Sequence, residues 1–319
     1  MNFVFLMDPL SSVVMKKDTT FMFMLAAHRR RHHVFFLPEG GLTRKNGKTY
    51  FHVIRVIPQL VESHPFIEKD KKVLSEKEVD IIFIRTDPPF DQNYLSNTWL
   101  LDLLPPTIPV INKPSGIRTV NEKIWATQFT DVIPRTMISS NLQDMLSFLK
   151  EEKKIVIKPT DGYGGRSISI VEKGNPHAKH LLKELSHNIS RDIILQKFIP
   201  ESAQGDKRIL LLDGKVLGAV LRVHKKGNFL NNFMAGGRPV ATKITKRDQT
   251  IINVLKPHLR RLGLYFVGID IMGGYLVEVN VTSPTCLQEI NRLYNLQLEE
   301  KVIDFAQMLI HRIRKRKSN

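Results

Sequence analysis

A short segment near the carboxyl end of the chain combines residue types that bind divalent metal ions. It reads Leu276-Val-Glu-Val-Asn-Val-Thr-Ser-Pro-Thr285. The alternating valines predict a β-strand with one face in a core, so Glu278 and Asn280 lie side by side on the opposite face. A carboxylate next to a carboxamide offers hard oxygen ligands to a metal ion. The alternative is that both side chains simply face solvent on a half-exposed sheet.

A second carboxylate comes from the preceding strand-like segment, Tyr265 to Met272, which carries Asp270. The length of the loop between the two strands decides whether the two carboxylates lie next to each other. A three-residue loop, Gly273-Gly-Tyr275, places Asp270 opposite Glu278, whereas a two-residue loop would place them on opposite faces. We predict the three-residue loop. Two neighbouring carboxylates repel unless a cation sits between them, and magnesium suits this set because water and substrate phosphates complete its shell.

A glycine-rich turn, Asp161-Gly-Tyr-Gly-Gly165, lies between two strand-like segments, Ile155 to Lys158 and Ser167 to Val171. Its flexible backbone N–H groups can close over an anion, and Lys123 and Lys158 add positive charge. The turn matches neither the GxxxxGK[ST] phosphate loop nor a GxGxxG motif that opens a helix. A plain hairpin tip is an equal alternative. Combined with the acidic strand pair, the turn predicts a nucleotide held between two small sheets.

The elements that must hold these residues change in type along the chain. In the first third, strand-like segments alternate with a helix at Thr19 to Arg31, which predicts a mostly parallel sheet covered by helices. A helix around Asn121 to Phe129 then opens a small α+β unit. The last third begins with a hairpin at Asp213-Gly214 and contains a helix at Lys246 to Leu262. A polar segment from His224 to Gly237 is a candidate mobile loop.

Composition narrows the class of protein. The chain has 319 residues, 42% of them hydrophobic, which suits a folded protein of two or three domains. No apolar run approaches the roughly 18 to 20 residues of a membrane span, and no cleavage-site pattern follows the apolar start. The single cysteine, Cys286, excludes an intrachain disulfide, so the cytoplasm is the expected compartment. The net charge of +17 is spread along the chain with little aromatic interleaving, which disfavours nucleic-acid binding.

Taken together, the motifs resemble the bacterial-type glutathione synthetases of the ATP-grasp superfamily. The matching segments occur in the family's order from end to end: Met7-Asp-Pro9, Lys16-Lys-Asp18, Arg85-Thr-Asp-Pro-Pro-Phe-Asp91, Asn112-Lys-Pro114, Asn121-Glu-Lys123, Lys158 to Gly165, Gly205-Asp-Lys-Arg208, Ala235-Gly-Gly237, Phe266 to Asp270 and Glu278 to Thr285. The DPPFD and EVNVTSPT sequences are much more specific than a glycine-rich turn alone.

The resemblance implies a fold of mixed α/β and α+β class. An N-terminal Rossmann-like (pre-ATP-grasp) substrate domain would span residues 1–118. A two-subdomain ATP-grasp fold would follow, with a central lid subdomain over 119–200 and a catalytic subdomain over 201–319. Such a ligase joins γ-glutamylcysteine to glycine through an acyl phosphate, with ATP as co-substrate, Mg²⁺ (or Mn²⁺) as cofactor and ADP and phosphate as products. A homo-oligomer without membrane or nucleic-acid partners is also implied.

The resemblance assigns roles to individual positions. The catalytic residues would be Arg208 and Arg222, which steady the acyl phosphate and the substrate carboxylate. The ATP-binding residues would be Lys123, Lys158, Asp161, Gly162, Gly164, Gly165, Gln196, Lys197, Phe198, Ile199 and Asp206. The substrate-binding residues would be Arg85, Asp87, Asn280, Ser283, Pro284 and Thr285. The metal ligands would be Asp270, Glu278 and Asn280.

One segment departs from the family pattern. Some members carry an arginine before a Gly-Asn pair in the loop that closes over the substrates, and Phe229-Leu-Asn-Asn232 stands there in this chain. A ligase for a different amine, acting on a peptide or protein carboxylate, is therefore an alternative. A non-catalytic ATP-binding protein is a second alternative, and RNA binding through the basic segment from Arg312 to Lys317 is a third.

Overall fold

Three β-sheets and the helices packed on them build the described part of the chain. The computed structural model describes residues 1–162, 168–224 and 237–318. The strands in these ranges are β1 (Asn2–Leu6), β2 (His33–Leu37), β3 (Leu42–Lys45), β4 (Lys48–Pro58), β5 (Phe66–Ser75), β6 (Ile81–Ile84), β7 (Val110–Ile111), β8 (Thr136–Ser139), β9 (Lys154–Pro159), β10 (Ser169–Glu172), β11 (Ile193–Lys197), β12 (Asp206–Leu212), β13 (Lys215–Val223), β14 (Arg238–Val240), β15 (Phe266–Met272) and β16 (Tyr275–Asn280). The helices are α1 (Thr19–Arg29), α2 (Gln92–Asp102), α3 (Pro114–Thr119), α4 (Leu142–Glu152), α5 (Ala178–Leu185), α6 (Lys246–Leu262), α7 (Leu287–Tyr294) and α8 (Leu298–Ser318).

The N-terminal sheet is half parallel and half antiparallel. Its order is β3-β4-β2-β1-β6-β7, with β5 on the free side of β4. The pairs β1–β2, β1–β6 and β6–β7 are parallel, as predicted. The strands β3, β4 and β5 add an antiparallel extension that the sequence did not reveal, so the prediction of a mostly parallel sheet was wrong for this half. The charged run in β5 is exposed on both faces, so it lacks the alternation by which a half-buried strand is recognised.

The central sheet has the order β10-β9-β11-β8, with α4 and α5 packed on it through a separate apolar core. The predicted antiparallel hairpin is confirmed, since Val156 of β9 pairs with Ile170 of β10. Its glycine-rich tip, residues 163–167, lies outside the described residues. The helix predicted around Asn121 to Phe129 is wrong in extent, because only a 3₁₀-helix at Trp125–Gln128 forms there.

The C-terminal sheet has the order β14-β13-β12-β15-β16. Asp213 and Gly214 form the predicted two-residue turn between β12 and β13, with φ angles of 50° and 67° that suit a type I′ turn. The helix α6 begins at a capping box formed by Thr245 and Asp248 and ends before Gly263, whose φ is 66°. Both ends agree with the predicted span.

The N-terminal and C-terminal sheets share apolar cores and one buried polar anchor. Asn112, which follows β7, donates to the carbonyl oxygens of Phe266 at 2.7 Å and Val281 at 2.8 Å, and accepts from the Phe266 N–H at 2.8 Å. These bonds fix the N-terminal sheet against the ends of β15 and β16. Within the described ranges, no helix has the length and apolar character needed to cross a bilayer.

Candidate active site

One face of the C-terminal sheet carries the polar residues that the sequence singled out. Cross-strand pairing sets Asp206 opposite Arg222 and Arg208 opposite Asp270. The next pair sets Asp270 opposite Glu278. Since side chains alternate along a strand, all five lie on the same face, while the neighbouring aliphatic residues face the core.

The register that brings Asp270 and Glu278 together arises differently from the prediction. The loop between β15 and β16 contains two residues, because Met272 pairs with Tyr275. A β-bulge then inserts one extra residue into β16, since Ile271 pairs with Leu276 and Asp270 with Glu278. The predicted juxtaposition is confirmed and the predicted three-residue loop is wrong. The bulge restores the face that a two-residue loop alone would have reversed.

A buried ion cluster occupies the middle of this face. Arg208 donates to both carboxylate oxygens of Asp270, at 2.8 Å through Nη2, and Nη2 of Arg222 lies 2.9 Å from Asp270 Oδ2. Arg222 also donates through Nε to Asp206 at 2.9 Å. Burial by itself raises the pKa of Asp270, and the two guanidinium groups outweigh it, so the pKa lies well below its ordinary value. The cluster holds two fixed guanidinium groups on a rigid sheet.

Two lysines extend the site toward the central sheet. Lys123 donates to Glu278 Oε1 at 2.6 Å and to the Gly162 carbonyl oxygen. Burial lowers the pKa of Lys123, and the charge of Glu278 raises it to a net value above normal. Lys158 donates to Gln196 Oε1 at 2.8 Å, and burial lowers the pKa of Lys158 to about 8. The negative charges of Glu278 and Asp270 raise the pKa of both lysines, so the two carboxylates lie in the same electrostatic environment.

A cleft between the central sheet and β16 adjoins these lysines. Its lining residues are Lys123, Ala126, Thr127, Ile133, Thr136, Lys158, Ile194, Gln196, Leu276 and Val277. Apolar side chains from both sheets face one another across it, with Thr136 and Gln196 joined at 2.9 Å along one wall. A flat apolar ring with polar edges, such as a purine, suits this lining.

The segment from Asn121 to Lys123 ties the two sheets together, and its Glu122 is a positioning residue that sequence reasoning missed. Asn121 Nδ2 donates to the Thr160 carbonyl oxygen at 3.0 Å. Oε1 of Glu122 accepts from the Val281 N–H at 2.8 Å and from the Thr282 hydroxyl at 2.9 Å. Glu122 stands next to Lys123 in the sequence, which was the signal available for finding it.

Four of the predicted substrate residues meet where the N-terminal sheet touches the end of β16. Arg85 is buried, donates through Nη2 to the Pro284 carbonyl oxygen at 2.9 Å and donates through Nε to Thr20 at 3.0 Å. Burial raises the pKa of the Asp87 carboxyl, and the nearby Ser283 hydroxyl partly offsets this rise. Thr285 follows in the same turn and is exposed. Much of the hydrogen-bonding capacity of Arg85 is therefore used to hold the turn in place.

The turn lies close to the ion cluster. A Cβ atom added to Gly268 would lie 3.2 Å from both Arg208 Cδ and Pro284 Cβ. Asn280, the partner of Gly268 across the strands, donates to the Gly268 carbonyl oxygen at 3.3 Å. The absence of a side chain at Gly268 thus lets the turn from Ser283 to Thr285 and the Arg208 side chain pack together. Cys286, directly after the turn, is buried in the apolar core.

The other residues that were predicted to bind ATP differ in their contacts and in their exposure to solvent. The side chains of Lys197 and Phe198 contact Glu152 at 3.7 Å and Lys154 at 4.3 Å, and their backbone N–H groups donate to the carbonyl oxygens of Arg135 and Lys154 at 2.9 Å and 3.1 Å. Ile199 is buried and Asp161 is exposed. Gly164, Gly165 and residues 225–236 of the predicted loop lie outside the described residues.

The donor set on the sheet face fits a magnesium ion. Asp270 and Glu278 are cross-strand neighbours, and Asn280 lies beside Glu278 on the same face. Two carboxylates and one amide oxygen are ligands of the hard type that Mg²⁺ prefers. In the described ranges no group of three or more His, Cys, Asp or Glu residues is gathered for metal binding, and the predicted set contains two carboxylates and the Asn280 amide.

Comparisons with known proteins match the whole architecture. The family model described as prokaryotic glutathione synthetase, N-terminal domain, matches residues 1–118, and the model described as prokaryotic glutathione synthetase, ATP-grasp domain, matches residues 122–295. Glutathione synthetase from Synechocystis sp. is 39% identical over 313 residues, covering 95% of this chain and 98% of that protein. Glutathione synthetase from Pseudomonas aeruginosa is 36% identical over 303 residues, covering 94% and 95%.

Among solved structures, the ATP-grasp ligase PsnB complexed with minimal precursor, Mg and ADP superposes with a TM-score of 0.65 at 14% identity, covering 97% of each chain. That likeness establishes the fold. The predicted mixed α/β architecture, with an N-terminal domain followed by an ATP-grasp fold, is confirmed. The predicted family is confirmed as well, because the matches cover nearly the full length at well above 30% identity. The chain belongs to the prokaryotic glutathione synthetase family of ATP-dependent carboxylate–amine ligases.

Proposed function

We propose that this chain joins γ-glutamylcysteine to glycine and forms glutathione, with cleavage of ATP to ADP and phosphate. The observation that carries the proposal is the single polar face on which Arg208, Arg222, Asp270 and Glu278 converge beside the turn held by Arg85. The cysteinyl carboxylate attacks the γ-phosphorus of ATP and becomes an acyl phosphate, and the glycine amine then displaces phosphate.

The two lysines hold the nucleotide phosphates. Lys123 and Lys158 both stand where the charges of Glu278 and Asp270 reach them, at the mouth of the cleft that suits a purine. The segment from Gln196 to Ile199 borders the adenine ring, because Gln196 lines the cleft. Gly162, whose carbonyl oxygen accepts from Lys123, lies beside the phosphates, and Asp206 acts through its ion pair with Arg222.

Asp270, Glu278 and Asn280 are the residues that would hold Mg²⁺, with Mn²⁺ as the alternative. When bound to these residues, the ion would supply positive charge that offsets the charge of the phosphate oxygens. The ion pairs to Arg208 and Arg222 lower the pKa of Asp270 and keep it ionised, and the ion pair to Lys123 holds the Glu278 carboxylate in position before substrates arrive.

Arg208 and Arg222 stabilise the negative charge that develops during transfer. Their planar guanidinium groups bind carboxylate and phosphate oxygens in a bidentate manner. Because Asp270 and Asp206 already fix their orientation, the arginines need little rearrangement when charge appears, which is the physical basis of electrostatic catalysis. Exclusion of water by residues 224–237 remains a prediction from the sequence.

The direct test is ADP release in a coupled assay with γ-glutamylcysteine, glycine, ATP and Mg²⁺. Omission of any one component should abolish release, and mass analysis should identify glutathione. Alanine and β-alanine, offered in place of glycine, test the unusual segment Phe229-Leu-Asn-Asn232. Efficient use of either one in preference to glycine would favour the alternative amine acceptor. Absence of ADP release with all components present would favour a non-catalytic ATP-binding protein.

The relatives favour glutathione as the product. Glutathione synthetases match at 36% and 39% identity over nearly the whole chain, whereas the superposed peptide-modifying ligase is 14% identical. A homo-oligomer and a cytoplasmic location stay predictions. RNA binding through the basic residues from Arg312 onward stays an alternative, to be tested by salt-sensitive retention of RNA with and without that segment.

A further inference from the structure

A chain of three hydrogen bonds crosses the central sheet and ends at one of the two lysines assigned to the ATP phosphates. Lys158 on β9 donates to Gln196 Oε1 at 2.8 Å. Nε2 of Gln196 donates to the hydroxyl of Thr136, on β8, at 2.9 Å. The Thr136 hydroxyl donates in turn to the Pro134 carbonyl oxygen at 2.8 Å. These bonds form a relay from Thr136 to Lys158, and Thr136 belongs to none of the sequence motifs that predicted the nucleotide site.

The pairing of the strands places the three side chains of the relay on one face of the sheet. Thr136 lies directly opposite Gln196, and Gln196 lies directly opposite Val156. Lys158, two residues beyond Val156, is therefore the diagonal neighbour of Gln196, within reach of a long side chain. This face lines the cleft, whereas the opposite face packs against α4 and α5. The relay is thus part of the wall of the cleft.

The Pro134 carbonyl fixes the direction of every bond in the relay. A carbonyl oxygen only accepts, so the Thr136 hydroxyl donates to it and turns a lone pair toward Gln196. The amide N–H of Gln196 donates to that lone pair, which leaves the amide oxygen facing Lys158. A reversed amide would set its N–H groups against the Lys158 ammonium and would take the hydroxyl proton away from Pro134. Because Gln196 is only 7% exposed, water cannot compensate for these losses.

The Lys158 ammonium needs a fixed partner because the charges around it act in different directions. Glu278 and Asp270 attract the ammonium, and Lys123 repels it. An ammonium drawn to these carboxylates would leave the ATP phosphates and occupy oxygens assigned to the magnesium ion. The bond to Gln196 uses one of the three N–H groups of Lys158 and leaves two for phosphate oxygens.

We propose that Thr136 is a positioning residue that fixes Lys158 for ATP binding through the Gln196 amide, an assignment that rests on the proposed function, in which Lys158 binds the ATP phosphates. Removal of the hydroxyl leaves Nε2 of Gln196 without its partner in a buried wall. The amide then loses its single preferred orientation, and the ammonium loses its fixed acceptor. The consequence is weaker ATP binding, because the arginines of the C-terminal sheet are not part of the relay.

A double-mutant cycle between Thr136→Val and Lys158→Met tests whether the hydroxyl acts through the ammonium. Calorimetry measures the binding of ATP with Mg²⁺ in the absence of dipeptide and glycine. In the otherwise unmodified protein, Thr136→Val should weaken ATP binding about 3- to 10-fold, the value of one hydrogen bond. In the Lys158→Met background it should change ATP binding less than about 2-fold, since no ammonium remains to be positioned. Thr136→Ser keeps the hydroxyl and should bind ATP within about 2-fold of the unmodified protein.

Controls separate the relay from a general effect on the fold. Valine keeps the shape and strand preference of threonine, and Thr136→Ala is a second variant without the hydroxyl that should show the same loss. Thr43→Val is the matched control, because Thr43 lies on β3 of the N-terminal sheet with its hydroxyl 3.1 Å from His52 Nε2. It should leave ATP binding unchanged. In steady-state kinetics, Thr136→Val should raise the KM for ATP and leave the KM for γ-glutamylcysteine unchanged.

The outcomes distinguish the relay from the ligase function. Equal weakening by Thr136→Val in both backgrounds would overturn the relay, and so would unchanged ATP binding in Thr136→Val and Thr136→Ala. A loss in Thr136→Ser as large as that in Thr136→Val would also overturn it. The expected cycle in ATP binding without glutathione formation would support the relay and refute the ligase function. Glutathione formation with purely additive effects in the cycle would refute the relay alone.

Discussion

Replacement of Lys158 with methionine should change stability and ATP binding in opposite directions. Burial lowers the pKa of Lys158 from 10.5 to about 8, so the charged form is less favourable in the folded than in the unfolded protein. At about 1.4 kcal/mol per pKa unit, the cost at pH 7 is about 3 kcal/mol. The side chain keeps partial exposure and bonds to Gln196, so we expect a net gain of about 1 to 2 kcal/mol from methionine.

The stability gained by replacing Lys158 with methionine should decrease as the pH rises. Below about pH 8, Lys158 is protonated in both folded and unfolded protein, and the full difference is present. Between about pH 8 and 10.5, the folded protein has lost the proton and the unfolded protein has kept it, so the stability of the unmodified protein rises with pH. The advantage of the variant therefore shrinks over this range. The affinity of the unmodified protein for ATP should fall above about pH 8 as the ammonium charge is lost.

Urea unfolding at pH 7 and pH 10, together with calorimetric ATP binding at pH 7, measures both effects. Lys154→Met is the matched control, because Lys154 lies on the same strand and pairs with Glu172 at 2.6 Å near the surface. The control should show no comparable pH dependence. A Lys158→Met protein that is less stable than the unmodified protein at pH 7, or that binds ATP with unchanged affinity, would refute the assignment.

Three further substitutions test the site and its support. Glu278→Gln removes a metal ligand and the partner of Lys123, and it should lower kcat by at least about 100-fold with the fold retained by circular dichroism; near-normal turnover would refute the metal assignment. Arg208→Lys keeps the charge opposite Asp270 but loses bidentate geometry, so kcat should fall more than ATP affinity; an equal loss in ATP binding would place Arg208 in ground-state binding instead. Asn112→Ala removes three buried hydrogen bonds between the sheets and should cost about 3 to 5 kcal/mol in urea unfolding; a loss under about 1 kcal/mol would show that apolar packing alone joins them.

Much of the fold was predictable where patterns are local. The helix α6 was predicted at both ends because its cap residues and its terminal glycine stand in the sequence. The turn at Asp213 and Gly214 was predictable for the same reason. The charged strand β5 was missed, because pairing with β4 alone defines it and its side chains are exposed on both faces. Backbone pairing with β4 holds this strand, and exposed side chains on both faces leave no local pattern that shows it.

The candidate active site shows the same difference between local patterns, which could be predicted, and tertiary contacts, which could not. The proximity of Asp270 and Glu278 followed from strand alternation, but the bulge in β16 between Leu276 and Glu278 that produces it could not be read from residue types. Glu122 escaped detection because its importance depends on partners supplied by other segments.

The sequence by itself determined the family, the position of α6 and the residue types able to bind metal, phosphate and carboxylate, because these depend on composition and on short spacings. Only the tertiary structure decided that Arg208 and Arg222 share Asp270 and that Lys123 joins Glu278. The electrostatic interaction energy of a charged group depends on the distance to its partners and on how deeply they are buried. Those quantities are fixed when separate sheets pack against one another.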